Sequence, residues 1–384
     1  MEKVYSFTNH LPVQVTFGED KIQELETIIS KSGWERTFIL IDRGLMEIIP
    51  QVAEATRNLN AVISEKEPGE PTISNVEEIA QQLTASGADV IVAIGGGSVM
   101  DSAKAARLVV AQGQSLQTFI QSEQTVQSPE IALITVPTTA GTGSEVSGGA
   151  VITDEVRDVK VGIANSLLRA QHAIVDPVLT YNLPKTITAY TGIDAVAQAI
   201  AAIMSNVRTP IGNAIALEAI RLASDALIKV VEDGADYDAR SNMACASLMA
   251  GLSMNIANCT AEHSIGQALG GMYHLPHGLT IGLVLAETME RERKYIPELM
   301  ERIADALGAE EDGSQDGSRA VRAVRKLISR IEIPTLREVG AKVEDLEHLA
   351  ERAMEDYFIT MAPEPWTKDE VIQVFDKLYE LEKR

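Results

Sequence analysis

Hydrophobic and polar positions follow one rhythm in the first half of the chain and another in the second. Residues 13–17 (VQVTF), within the segment 5–17, alternate apolar and polar side chains after a proline, as a half-buried strand does. Gly18 turns the chain, and 21–30 has a helical period. Residues 36–42 (RTFILID) are a short apolar run ending in an acid, the pattern of a strand buried in a parallel sheet. A helical stretch opens at Gly44 and Leu45, and 61–65 reads as another short strand. Residues 74–86 have a helical period, with Ser74 the expected N-cap and Glu77 its capping-box partner. The run 88–94 (ADVIVAI) enters Gly95-Gly96-Gly97-Ser98, and 99–111 is helical beyond it. Strand 131–136 leads into a loop of glycines and hydroxyls, 151–154 and 159–163 read as a hairpin, and 173–176 is a last short strand.

From residue 183 onward almost everything has a helical period: 186–204, 210–231, 239–258, 262–272, 279–291, 296–307, 317–331, 343–352 and 367–383. No strand pattern of comparable strength returns. The boundary therefore falls at about Asn182, giving domains 1–182 and 183–384. Alternating strands and helices in the first imply an α/β domain with an open, mostly parallel sheet. The second is expected to be all-α. Between two of its helices, 308–317 (GAEEDGSQDG) reads as an exposed acidic connector.

Composition narrows the class. A chain of 384 residues exceeds one typical core, and 45% hydrophobic residues fit a globular protein. No continuous apolar run approaches the roughly 20 residues that span a bilayer, so no membrane association is expected. The start, MEKVYSFTNH, lacks a basic region followed by an apolar core, and no signal peptide is expected. Cys245 and Cys259 are the two cysteines, which implies no disulfide framework, and a cytoplasmic location follows by default. A net charge of −22 argues against nucleic acid, whose phosphates require basic patches, and is a general aid to solubility.

Three stretches carry candidate chemistry. Strand, glycine turn and helix at 88–111 is an arrangement that binds phosphate, because glycine lets the backbone approach and helix-start N–H groups face the anion. A tight turn without a ligand has the same pattern. Asp101 and Lys104 lie on nearly the same helix face, a spacing that a simple pair across an exposed surface satisfies equally. The loop 137–145 (PTTAGTGSE) places four hydroxyls and two glycines directly after a strand. Ligands of open parallel sheets bind beyond the carboxyl ends of the strands, so the two loops are expected to serve one nucleotide.

The third stretch is 261–278, which holds three of the six histidines: His263, His274 and His277. Histidine is a common metal ligand and the usual proton carrier near neutral pH. Helical spacing puts His263 with Gln267, and Asp194 with Gln198, on shared faces. Asp194 in an apolar helix needs a partner if it is buried, although a cap or surface position satisfies the spacing equally. His263 also fits a hydrogen-bonded interior histidine. His277, between Pro276 and Gly278, stands at a turn opening an apolar helix; an ordinary surface turn histidine has the same setting.

Five segments together resemble the iron-containing (group III) alcohol dehydrogenases: GGGSVMDSAK at 95–104, PTTAGTGSEVS at 137–147, VITD and its following lysine from Val151 to Lys160, LPKTITAYTGIDA at 183–195, and HLPHG at 274–278. The resemblance runs along almost the whole chain. It implies a dehydroquinate synthase-like architecture, with an N-terminal α/β dinucleotide-binding domain and a helical metal and substrate domain. It implies that Gly95, Gly96, Gly97 and Ser98 hold a pyrophosphate and that Thr138, Thr139 and Thr142 line the nucleotide site. Asp101, Lys160 and Leu179 join the implied cofactor residues. Asp42 matches the acid that accepts hydrogen bonds from the adenosine ribose, and its charge favours NAD over NADP. The implied activity is hydride transfer between NAD and a small alcohol or aldehyde, in a homo-oligomer of two or more chains.

The family's metal ligands are an aspartate and three histidines. Asp194, His263 and His277 match three of them, and the fourth position is Gln198. A further histidine near the substrate is replaced by Gln267. An amide oxygen is a harder and usually weaker donor than imidazole for Fe²⁺ or Zn²⁺. Three consequences stand open: Gln198 ligates through oxygen, a water held by Gln198 fills the position, or the metal is absent and activity altered. Gln267 cannot carry a proton, which leaves His274 as the expected relay to solvent. A metal-independent oxidoreductase reading a polar substrate through these amides, and a nucleotide-binding protein without catalysis, are the competing functions.

Overall fold

Eight strands organise the first half of this computed structural model, which describes residues 7–122, 124–157 and 159–381. The first two residues of the segment 5–17, most of the stretch on which the leader expectation rests, and the end of the helix expected over 367–383 lie outside the described residues. The strands are β1 (Gln14–Phe17), β2 (Thr37–Asp42), β3 (Ala61–Lys66), β4 (Val90–Gly95), β5 (Ala132–Pro137), β6 (Gly149–Asp154), β7 (Val159–Ala164) and β8 (His172–Val175). Six form one parallel sheet in the order β1-β8-β5-β4-β2-β3, and β6 and β7 pair as an antiparallel hairpin.

Strands β4 and β5 are buried throughout, in keeping with sequences that read as apolar runs, interrupted in β5 by Thr135, whose hydroxyl donates to the Glu145 carbonyl. Side chains alternate between the two sheet faces. Phe38, Leu40, Ile91, Ala93 and Leu133 pack in one core, and Ile39, Ile41, Val92, Ile94 and Ile134 in another. Each large buried side chain contributes about 1.5–3 kcal/mol relative to exposure.

The helices of this half are α1 (Leu25–Lys31), α2 (Leu45–Ile48), α3 (Pro50–Thr56), α4 (Ile73–Ser86), α5 (Gly97–Gln112) and α6 (Leu116–Ile120). The cap expected at Ser74 is instead Thr72, whose Oγ accepts from the Asn75 N–H at 3.2 Å. Ser74 is already inside α4, its N–H donates to Glu155, and Glu77 accepts from the Leu116 N–H. Helix α6 has five residues, too few to display a period in sequence.

The second half contains α7 (Lys185–Met204), α8 (Pro210–Glu232), α9 (Tyr237–Ala257), α10 (Ala261–Tyr273), α11 (His277–Glu292), α12 (Pro297–Ala306), α13 (Ser318–Arg330), α14 (Leu346–Glu355) and α15 (Lys368–Leu381). Among its described residues there is no strand. The described chain separates into two compact units, His10–Leu183 and the residues from Pro184 onward with 7–9.

Helix α7 departs from the expectation drawn from apolar runs. By length and composition it could cross a membrane, but 83% of its apolar window is buried inside the protein. It is a core helix, packed against α8, α9 and α11. The connector 308–317 is also more than an exposed loop, because the buried Arg319 binds the Ala309 and Glu310 carbonyls.

Candidate functional site

Three helices bring the ligand candidates together. Asp194 lies in α7, His263 near the start of α10, and His277 is the first residue of α11. Each offers one ligand atom, and those atoms lie within 4.8 Å of one another, an arrangement able to hold a metal ion. His277 Nε2 is 3.5 Å and His263 Nε2 3.7 Å from Asp194 Oδ1. The close approach of α11 to α7 depends on Gly278, where a Cβ would lie 2.0 Å from the Tyr190 carbonyl oxygen.

Gln198 follows Asp194 by one turn, and its amide nitrogen donates to Asp194 Oδ2 at 3.0 Å. Asp194 Oδ1, Gln198 Oε1 and His263 Nε2 are all buried without a hydrogen-bond partner. Leaving one such atom unsatisfied costs about 1–3 kcal/mol, so three in one cluster mark a place where a ligand completes the bonding. Donors held about 2.1 Å from a tetrahedral ion lie roughly 3.4 Å apart, close to the separations observed here. The donor set therefore fits a divalent cation, with the Gln198 oxygen as a candidate member.

The surroundings of His263 support this geometry. Its Nδ1 donates to Glu262 Oε1 at 2.8 Å. Glu262 is fully buried and also accepts from the Thr260 N–H at 3.1 Å and from the Thr260 hydroxyl. Burial opposes charge on His263, but the neighbouring Cys259 sulfur and the Glu262 carboxylate outweigh it and raise the imidazole pKa well above its ordinary value. The cluster thus favours positive charge. Phe358 meets the His263 ring edge-on with centroids 6.1 Å apart. Asp356 fixes that segment by accepting from the Ser264 hydroxyl at 2.7 Å and the Phe358 N–H at 2.8 Å. Sequence reasoning missed Glu262 and Phe358. Glu262 had a usable signal, an acid beside a candidate ligand; Phe358 had none.

Gln267 is half-buried, one turn beyond His263. His274 is exposed and ends α10 in the left-handed region with φ 51°.

The nucleotide candidates gather at the carboxyl ends of β2, β4 and β5. The Gly96 N–H donates to Asp42 Oδ2 at 3.4 Å, and the Thr138 N–H donates to the Gly95 carbonyl at 2.9 Å. Burial raises the Asp42 pKa, and the positive charge of Lys66 offsets part of that rise. Helix α5 begins at Gly97, two residues before the expected start, so its first N–H groups belong to the glycine turn itself. A Cβ on Gly97 would lie 2.8 Å from the Thr142 methyl, so the two loops approach this closely only because the residue is glycine. Ser98 and Thr139 are half-buried beside this turn.

Asp101 and Lys104 do pair, with Lys104 Nζ 3.8 Å from Asp101 Oδ1, but in the interior rather than across an exposed surface. Lys104 is fully buried, and its Nζ donates to the Ser144 carbonyl and hydroxyl, the Ser147 hydroxyl and the Gly149 carbonyl at 2.7–3.1 Å. Asp101 accepts from the Ser144 hydroxyl at 2.6 Å and the Val151 N–H at 3.0 Å. Both residues brace the loop that carries Thr138, Thr139 and Thr142. Lys160, on β7, lies 3.4 Å from the Glu70 carboxylate. The Leu179 side chain is packed in the sheet core with 1% exposure.

Comparison with known proteins reaches both halves of the chain. The profile of the iron-containing alcohol dehydrogenases matches residues 12–177, and that of the Fe-containing alcohol dehydrogenase family C-terminal region matches 188–379. Alcohol dehydrogenase 4 of Saccharomyces cerevisiae is 31% identical over 377 residues, covering 97% of this chain and 98% of its own. The NAD-dependent methanol dehydrogenase of Bacillus methanolicus is 32% identical over 374 residues, covering 95% and 97%. Among solved structures, an alcohol dehydrogenase from Oenococcus oeni superposes with a TM-score of 0.91 at 29% identity, over 97% of this chain and 100% of that one.

Proposed function

The chain belongs to the iron-containing alcohol dehydrogenase family, and from that membership we propose that it is an NAD-dependent alcohol dehydrogenase or aldehyde reductase acting on a small substrate. The observation that carries the metal part of this reading is the cluster of three unsatisfied buried atoms on Asp194, Gln198 and His263 beside His277. Asp194, His263, His277 and the Gln198 oxygen would hold Fe²⁺ or Zn²⁺. When bound, the metal supplies Lewis acidity toward the substrate oxygen, and the nicotinamide carries the hydride.

The chain's own residues supply the rest. Gln198 completes the donor set while its amide nitrogen keeps Asp194 Oδ2 occupied, which directs Oδ1 into the cluster. Phe358 covers one side of His263 and keeps water from that face. Gln267 offers an amide where a proton carrier would be useful, so the exposed imidazole of His274 takes up the alcohol proton and passes it to solvent. On the nucleotide side, Gly95, Gly96, Gly97 and Ser98 give the backbone access to a pyrophosphate, with Thr138, Thr139 and Thr142 beside them. Asp42 disfavours a 2′-phosphate, so NAD is the cofactor and NADP the weaker alternative. Lys160 stays among the cofactor residues proposed. Asp101 acts there by bracing the hydroxyl loop rather than by touching the ligand. The enzyme is a cytoplasmic homo-oligomer, without nucleic-acid or membrane partners.

The test is NADH formation and consumption with a panel of small alcohols and aldehydes, before and after chelation, with NADP in parallel. Turnover that chelation abolishes and Zn²⁺ or Fe²⁺ restores is expected. Turnover that survives exhaustive chelation would identify a metal-independent enzyme, and no turnover with any substrate would leave only nucleotide binding.

A further inference from the structure

We propose that Glu262 is the positioning residue of the metal site, orienting His263 and contributing a second buried negative charge that supports the weaker amide donor Gln198. This rests on the metal reading above. Glu262 lies in the first turn of α10, immediately before the ligand candidate. Its carboxylate accepts from His263 Nδ1, which fixes the tautomer of the neutral ring that a metal requires: the remaining proton sits on Nδ1, and Nε2 is the nitrogen that gives up its proton to a metal. That Nε2 is the buried, unpartnered atom facing Asp194. A carboxylate behind a ligating imidazole also makes it a stronger donor.

Helix capping accounts for only part of Glu262: its Oε1 accepts the N-cap N–H of Thr260, as a first-turn acid can, but the same oxygen also meets His263 Nδ1. Thr260 occupies the N-cap position, where a threonine hydroxyl ordinarily accepts from a helix N–H. It makes no such bond here. Its hydroxyl is turned to donate to Glu262 Oε2, and its own N–H donates to Oε1. Both oxygens of the carboxylate are thereby engaged, and the helix forgoes its side-chain cap to engage them. The preceding turn is also strained. Asn258 has φ 62° and ψ 176°, a region that only glycine enters easily. Strain of this kind persists where the surroundings demand one geometry, and the segment it leads into is Cys259-Thr260-Ala261-Glu262-His263.

The charge balance points the same way. Glu262 is fully buried, and among the described residues its one ion-pair partner is His263. A buried carboxylate without a cation is costly. Together with Asp194 it brings two negative charges to one cluster, enough to match a divalent ion. The ligand set has exchanged an imidazole for an amide of the same charge, so the added carboxylate strengthens the site electrostatically without adding a ligand.

The experiment compares the full-length protein with Glu262→Gln, which preserves shape and the acceptor for His263 while removing the charge. Zn²⁺ affinity is measured by chelator competition, and the Co²⁺ absorption spectrum reports the ligand geometry. NAD binding and thermal unfolding of the metal-free proteins serve as structural controls. About 10- to 100-fold weaker Zn²⁺ binding with an altered Co²⁺ spectrum is expected, with NAD affinity unchanged. Equal Zn²⁺ affinity and an identical spectrum would overturn the assignment of Glu262. If the wild-type protein itself binds neither ion, the metal reading fails first, and that result is seen without the variant. If Glu262→Gln does not fold, Thr260→Val keeps the charge but releases one oxygen of the carboxylate. It is expected to weaken Zn²⁺ binding several-fold, and wild-type affinity there would overturn the proposal.

Discussion

Gly278→Ala tests how the helices set the site. The added Cβ would stand 2.0 Å from the Tyr190 carbonyl oxygen, 2.7 Å from its carbon and 3.2 Å from the Asp194 Cβ. Ordinary contacts lie at 3.4–4 Å, so α11 must move away from α7 by about 1 Å or more. Backbone meets side chain here, and no rotamer of a neighbour relieves the clash. Overpacking of this kind costs about 1–3 kcal/mol, with the upper end expected because helix backbones must part. In a unit of roughly 200 residues this lowers the Tm by about 5–10 °C. His277 moves with α11, and its 3.5 Å separation from Asp194 Oδ1 opens to about 4.5 Å. Metal sites tolerate only about 0.2 Å of such error in ligand distance. The assay is thermal unfolding with and without Zn²⁺. An ion at 100 times its Kd stabilises the wild type by about 2.7 kcal/mol. The variant is expected to start from a lower Tm and to lose most of that increment. A variant with wild-type Tm and a full Zn²⁺ response would refute the idea that this helix contact sets the ligand geometry.

Three further outcomes are expected. Gly97→Ala drives a Cβ to 2.8 Å from the Thr142 side chain, so NAD affinity measured by titration should fall at least tenfold while Zn²⁺ affinity is unchanged. Gln198→His restores an imidazole donor, and chelator competition should show Zn²⁺ binding tighter by about tenfold or more; weaker binding would mean that the amide nitrogen's bond to Asp194 matters more than the donor type. Lys104→Met strands the oxygens that now accept from Nζ and should cost about 3–5 kcal/mol in denaturant unfolding. Burial lowers the Lys104 pKa from 10.5 to about 8, so between these values the unfolded chain binds more protons than the folded one. Wild-type stability should therefore rise relative to Lys104→Met as the pH is raised from 8 toward 10.5, and a parallel pH dependence of the two proteins would contradict this.

The sheet strands were legible because burial on both faces leaves nearly continuous apolar runs, and the surface helices because a polar face repeats with the helical period. Strand β4 was expected over 88–94 and is observed as Val90–Gly95; α8 was expected over 210–231 and is observed as Pro210–Glu232. Misreadings arose where tertiary contact decides the outcome. An acid and a lysine spaced like Asp101 and Lys104 usually form a surface pair, and only the fold shows that Lys104 points into the hydroxyl loop. Thr72 took the cap expected at Ser74 because an extended residue before the helix serves equally well, and the local sequence offers both. In the site, Asp194, Gln198, His263 and His277 were legible from helical spacing and from resemblance. Glu262 was visible but unread, because its role depends on a turn whose backbone strain at Asn258 has no mark in the sequence.

The most direct measurement is anomalous diffraction at the zinc edge from crystals grown with Zn²⁺. One peak per chain is expected within bonding reach of Asp194 Oδ1, His263 Nε2, His277 and the Gln198 oxygen. No peak there, or zinc found only on surface carboxylates, would contradict the reading of this cluster as the metal centre of an alcohol dehydrogenase.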